Sequence, residues 1–153
     1  MSNLQTAIDI ATEAHKGQLD KAGKAYIEHP LRLLAAITEQ YPEDIELQCV
    51  AVMHDVIEDS DVTFADLKYN GFSDRVIEAL KCMTKQLGID YDAYITRVVG
   101  SNPDAIKVKL ADLADNMDLS RLPVVTEKDL KRNMKYAIAK QDLLDIQSGA
   151  FVP

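Results

Sequence analysis

Apolar residues recur along this chain at spacings of three and four, in blocks separated by short runs of Gly, Pro, Asn and Asp. That is the helical period, and no stretch keeps the two-residue alternation of a half-buried strand beyond a few positions. Leu4, Ala7, Ile8, Ala11 and His15 share one helical face, and Gly17 ends that helix. The loop GQLDKAGKAYIEHP follows, and Pro30 opens a second helix carrying Leu33, Leu34 and Ile37. Tyr41-Pro42 breaks it. A third helix starts near Glu43 and runs through the stretch AVMHDVIEDSD, residues 51–61. Thr63 caps a short helix with Asp66 three residues on, and Ser73 caps another with Val76, Ala79, Leu80 and Met83 inside. Asp90 caps a sixth, carrying Tyr94, Ile95 and Val98 and stopped by Gly100. Asn102-Pro103 starts a seventh with Ile106, Leu110, Leu113 and Met117 as its core stripe. Thr126 opens the last, and Leu130, Met134, Ala137 and Ile138 are expected to face inward. The pattern predicts an all-α fold of about eight helices in a single domain spanning residues 1–153.

Composition narrows the function more than the fold. With 47% hydrophobic residues and 153 positions, the chain can bury a core without a disulfide or structural metal. A net charge of −8, from 17 basic and 25 acidic residues, disfavours nucleic acid as a partner. A small anionic ligand would need local lysines or a cation to counter that field. Cys49 and Cys82 have no CxxC partner and read as buried free thiols, which favours a reducing cytoplasm. The first residues are too polar for a signal peptide, and no apolar run is long enough for a bilayer, so no membrane partner is expected. A homo-oligomer stays open.

The chemistry concentrates in residues 54–61, where one histidine and four acids occupy eight positions. The apolar run before it, CVAVM, implies a buried helix, so His54 or Asp55 must point inward. A buried carboxylate is costly unless it is paired or metal-bound. On a continuous helix, Glu58 and Asp59 would stand one turn above His54 and Asp55. A metal on the lower pair would then place the upper pair beside a bound water. The other reading of residues 58–61 is a solvated helix end, although acids there oppose the helix dipole.

Further ligands must come from elsewhere. His29 sits at a loop-to-helix junction, whereas His15, on the apolar face of the first helix, reads as a packed group. Asp112 lies within the apolar VKLADLA and is expected to be buried, while Asp115 and Asp118 look more exposed. His29, His54, Asp55 and Asp112 would suit a divalent transition metal with open positions. Lys109 reads either as a phosphate-facing cation or as a solvated surface amine.

Three motifs occur in order: AHKGQLDKAGKAYIEHP (14–30), VMHDVIEDSDVT (52–63) and KVKLADLADNMD (107–118). Together they resemble the HD-domain metal-dependent phosphohydrolases, and within them the hydrolase domain of the Rel/SpoT alarmone enzymes and their small stand-alone relatives. HD followed by ED after two apolar residues is the specific part. The resemblance implies an HD-type helical bundle in which His29, His54, Asp55 and Asp112 bind one metal ion, usually manganese. It implies that Glu58 and Asp59 activate water, and that Lys21 and Asn116 face a nucleotide-like substrate. The reaction it implies is removal of the 3′-pyrophosphate from a guanosine alarmone.

The chain departs from the family pattern where the nucleotide is read. Asp20-Lys21 stands where the family usually has Arg-Lys, and Asp118 and Leu119 replace an arginine and a threonine. A carboxylate neither stacks on a base nor attracts anions as a guanidinium does. Two other readings therefore stand beside the first. One is the same chemistry on another nucleotide or phosphorylated small molecule. The other is a non-catalytic nucleotide-binding HD module.

Overall fold

A computed structural model describes residues 3–150, so residues 1–2 and 151–153 of the expected domain span lie outside the described residues. The helices are α1 (Leu4–Ala14), α2 (Glu28–Gln40), α3 (Ile45–Met53), α4 (Val56–Asp59), α5 (Phe64–Tyr69), α6 (Asp74–Met83), α7 (Tyr91–Ala93), α8 (Pro103–Asn116) and α9 (Glu127–Ser148). A lone bridge between Leu19 and Ala25 is the extended pairing found among the described residues. The fold is an all-α bundle of the HD type, as expected.

α3 is the central element. Every residue from Leu47 to Met53 is buried, and the helix packs against α1, α2, α6 and α8. Such a helix has no polar face, and its one buried amide is satisfied locally. The Gln48 side chain donates to the carbonyls of Tyr41 (3.1 Å) and Pro42 (3.2 Å), tying the α2–α3 turn to the core. Cys49 lies in this core, where burial pushes its thiol pKa up to about 11. Cys82 is half-buried, less enclosed than expected.

The local start signals hold. Thr63 and Thr126 each form a full capping box, with Asp66 and Asp129 respectively. Ser73 accepts from the Val76 amide, and Asn102 from the Ala105 amide ahead of Pro103. α2 begins two residues before Pro30, so the proline sits inside the first turn, where no intrahelical N–H is required.

Three expectations change. The third helix is not continuous: it ends at Met53, and α4 restarts at Val56 after Asp55, whose backbone leaves the helical region (φ −106°, ψ 1°). The sixth helix is α-helical only over α7. It widens to a π-helical turn over Tyr94–Val98 and tightens to a 3-10 turn over Val99–Ser101. In α9 the expected inner face is turned outward. Ala139 and Leu143 are buried, whereas Leu130, Met134 and Ile138 are 54%, 68% and 59% exposed. Helical period fixes which residues share a face, but the packing partner fixes which face is inside.

Candidate functional site

The break between α3 and α4 places His54 and Asp55 at the end of a buried stalk. His54 is buried and its Nδ1 donates to the Ala51 carbonyl at 2.9 Å. That bond leaves Nε2 as the lone-pair nitrogen of the neutral ring. Among the described residues Nε2 has no hydrogen-bond partner, yet it faces Asp55 Oδ2 at 2.8 Å and Asp112 Oδ1 at 3.4 Å. A lone pair aimed at two carboxylates is repulsive unless a proton or a cation lies between them. Burial opposes charge on His54, but Asp55 and Asp112 override it and hold the imidazole pKa well above its ordinary value.

α2 supplies the second imidazole. His29 Nε2 lies 2.9 Å from Asp112 Oδ1, and Nδ1 lies 2.6 Å from Asp115 Oδ2. The two rings stand edge to face, 5.1 Å between centroids. Ligand atoms of His29, His54 and Asp55 all fall within 4.8 Å of one another. Asp112 is buried on α8, where burial works against its charge. Lys109, at 2.9 Å from its Oδ2, together with His29 and His54, holds its pKa well below the carboxylate range. Asn116 donates to its Oδ1 at 3.1 Å. The structure therefore brings together all four residues expected from separate segments. Their donor set, two imidazoles and two carboxylates, fits a divalent cation, and the orphaned Nε2 of His54 supplies the independent sign.

Several neighbours were not legible as site residues. Tyr26 donates to Asp55 Oδ2 at 2.5 Å. Burial, then Asp55, raises its pKa far above the phenol range, so it stays a donor. Asp115 is not the exposed acid expected, because it is the orienting partner of His29. Arg32 also donates to it, through Nε at 2.9 Å and Nη2 at 3.0 Å. Burial opposes its charge, but His29 and Arg32 hold its pKa well below normal. Only its i+3 relation to Asp112 could have pointed to it. Lys109 is a buried amine pinned to Asp112, not a solvated one.

Glu58 and Asp59 sit on the short α4. The Lys85 backbone N–H donates to Glu58 Oε1 at 2.7 Å, which fixes that carboxylate from across the chain. Burial raises the Glu58 pKa, the Lys85 amide partly offsets this, and Asp55 adds to it. Asp59 is raised by burial and then by Asp55, and its backbone carbonyl accepts from Gln18 at 2.8 Å. It lines an acidic cleft with Asp9 and Glu13 of α1 and also feels the charges of Asp55, His54 and His29.

That cavity, about 390 Å³, opens beside His29. Lys21 and Asn116 line it, as do all three departing positions, Asp20, Asp118 and Leu119. So do four side chains of α2 and of the α8–α9 region: Arg32, Arg121, Arg132 and Tyr136. Burial and the nearby Arg132 lower the Lys21 pKa. Asp20 and Asp118 are partly spent on local structure. Asp20 Oδ1 accepts from the Ala22 (2.8 Å) and Lys24 (2.9 Å) amides and closes its loop. Asp118 caps the 3-10 turn Leu119–Arg121 and binds Arg121 Nη1 at 3.0 Å. A guanidinium thus stands in the cavity three residues after the family's arginine position. Lys21 and three arginines thus line the cavity of an acidic protein, the arginines paired to Asp115, Asp118 and Asp129.

No model of a protein family matches the chain. Its sequence is 31% identical over 121 residues to guanosine-3′,5′-bis(diphosphate) 3′-pyrophosphohydrolase of Aquifex aeolicus, covering 74% of this chain and 17% of that protein. It is 31% identical over 146 residues to the protein of the same name from Haemophilus influenzae, covering 88% and 20%. Over 68 residues it is 37% identical to the bifunctional (p)ppGpp synthase/hydrolase SpoT of Escherichia coli, covering 44% and 10%. The chain thus spans a fifth or less of the length of these three relatives. Its fold matches the solved structure of a metazoan ortholog of SpoT, a protein that hydrolyses ppGpp, with a TM-score of 0.76 and 19% identity over 99% of this chain and 98% of that one.

Proposed function

From the likeness to the Rel/SpoT hydrolase domain, shared in sequence and in fold, we propose that the chain is a metal-dependent phosphohydrolase. Its substrate is a nucleotide-like molecule, and the leading reaction is 3′-pyrophosphate removal from (p)ppGpp. The observation that carries this reading is the orphaned Nε2 of His54, buried between Asp55 and Asp112, with a cavity lined by Lys21 and three arginines opening beside neighbouring His29.

His29, His54, Asp55 and Asp112 would hold one divalent ion, Mn2+ being our choice. When bound, the ion supplies a Lewis acid and a water of lowered pKa. Asp115 fixes the His29 ring, since an imidazole whose Nδ1–H is donated presents Nε2 as its lone-pair nitrogen, the one that would serve as ligand. The Ala51 carbonyl does the same for His54. Tyr26 holds the Asp55 carboxylate. Glu58, kept in place by the Lys85 amide, takes the proton of the attacking water, and Asp59 orients that water. Its raised pKa brings Glu58 closer to neutrality, which improves a general base. Lys21 and the cavity arginines offset charge on the phosphates, and Asn116 stands between Asp112 and the substrate.

A second reading is favoured by a specific observation: Asp20, Asp118 and Leu119 all line the cavity. It is the same hydrolysis on a nucleotide with a different base, or on another phosphorylated small molecule. The test is a substrate panel of alarmones, dinucleotides and nucleoside phosphates with Mn2+, with His54→Ala as control. Pyrophosphate release from ppGpp above all others supports the first reading. Preference for another compound supports the second. Absence of turnover on the whole panel by metal-loaded protein sinks both.

A further inference from the structure

We propose that the outward face of α9 is a self-association surface on which a second copy of this chain docks antiparallel. The apolar residues of that face recur at alternating spacings of four and three: Leu130, Met134, Ala137, then Leu144 after Gln141. Such a repeat is the seam of a two-helix coiled coil. All four apolar residues are exposed, Leu144 the least at 37%, and Ile138 beside them is 59% exposed, so the described residues leave most of the stripe uncovered. Val124 and Val125, also exposed, lead into it. The opposite face of α9 is fully used, with Ala139 and Leu143 buried and Arg132 and Tyr136 turned to the cavity.

The charge pattern says what covers the stripe. Along one edge, at seven-residue spacing, stand Lys131, Ile138 and Asp145. A two-fold axis perpendicular to the helix, at Ile138, reverses the second helix and sets this edge against itself. Lys131 of each copy then faces Asp145 of the other, and the two Ile138 side chains meet on the axis. In that register Met134 of each copy lies beside Leu144 of the other in the seam. A parallel arrangement would set this edge against Asn133, Lys140 and Gln147, which gives Asp145 a partner in Lys140 but leaves Lys131 without an acid. The pattern is therefore complementary to its own reversed copy, as an isologous dimer requires. The strip of one helix is small beside the about 800 Å² per partner of a standard interface, so the dimer is a reversible one.

The test is sedimentation velocity on the full chain from about 5 to 200 µM, a range chosen around the micromolar affinities that small interfaces commonly give. The expected result is a concentration-dependent monomer–dimer equilibrium. Met134→Glu and Ile138→Glu, both at exposed positions that leave the fold intact by circular dichroism, should weaken it at least tenfold. Lys131→Asp and Asp145→Lys should each weaken it, and an equimolar mixture of these two variants should associate better than either alone. A chain that stays monomeric throughout overturns the proposal. So does a dimer indifferent to Met134→Glu, or a mixture that associates no better than its components.

Discussion

At the scale of single residues, the site works by giving each group one orientation through the partner behind it. Glu58 is the sharpest case, because the Lys85 backbone amide, on another segment, fixes one oxygen of the carboxylate proposed as the base. Glu58→Gln should keep the metal by elemental analysis and lose turnover by about 10²–10⁴-fold, the usual worth of a general base. The base must be ionised to act, and burial raises its pKa. The acid limb of kcat should therefore lie above the ordinary glutamate value of about 4.3, with activity falling as pH drops through it. A limb at or below that value would remove Glu58 from the role. Asp115 acts one step back from the proposed metal. Asp115→Asn keeps the shape but loses the carboxylate that orients His29, and should weaken Mn2+ binding by about 10–100-fold, measured by titration calorimetry. Unchanged affinity would reduce Asp115 to a partner of Arg32 alone.

At the scale of elements, the break between α3 and α4 matters most. A buried apolar helix can carry no charge along its length, so the two site residues stand where it stops. α6 and α8 are held against this stalk at their N-terminal ends by Arg75. Its guanidinium donates to Asp44 (2.8 and 3.0 Å), Asp104 (2.8 and 3.0 Å) and Glu46 (3.3 Å), joining the starts of α3, α6 and α8. Half-exposed pairs are individually weak, but a forked network is stronger. Arg75→Ala should cost about 1–2 kcal/mol, or about 2–8 °C of melting temperature. The Arg75 bond holds the Asp44 pKa below its ordinary value. A depressed carboxylate stabilises above its unfolded pKa of about 3.9 and loses that contribution as pH falls through the folded one. The gap between wild type and Arg75→Ala should thus shrink below about pH 4; a gap that is constant with pH would mean that packing of the arginine stem, not charge, is responsible.

At the scale of the whole molecule, gathering two histidines and two acids around one point carries an electrostatic cost that Lys109, Asn116 and Tyr26 relieve only in part. An ion that binds only the folded state adds stability by mass action, about 2.7 kcal/mol at a hundredfold excess over its dissociation constant. For a chain of this size that is about 5–11 °C. Thermal melts with and without Mn2+ should show this rise, chelator should reverse it, and His54→Ala should abolish it. A rise that survives in His54→Ala would place the ion elsewhere, for which the acidic cleft of Asp9, Glu13 and Asp59 is the obvious alternative. No helix among the described residues is long and apolar enough to cross a membrane.

The sequence by itself determined what is local. Caps at Thr63, Ser73, Asn102 and Thr126, the all-helical class and the buried run before His54 follow from hydrogen bonds within four residues and from periodicity. It also named the four residues that converge at the site, through the order and content of three motifs. What it could not determine depends on partners far away in the chain. Asp115 was read as exposed because its partners, His29 and Arg32, lie 86 and 83 positions distant. The inner face of α9 was misread because both faces are apolar, and only contact with α8 and the Tyr94–Val98 turn selects Ala139 and Leu143. The helix break at Asp55 was invisible because nothing in VMHDVIED disfavours a helix. Tertiary packing decides it, where His54 and Asp55 turn towards His29 and Asp112 rather than follow the axis of α3.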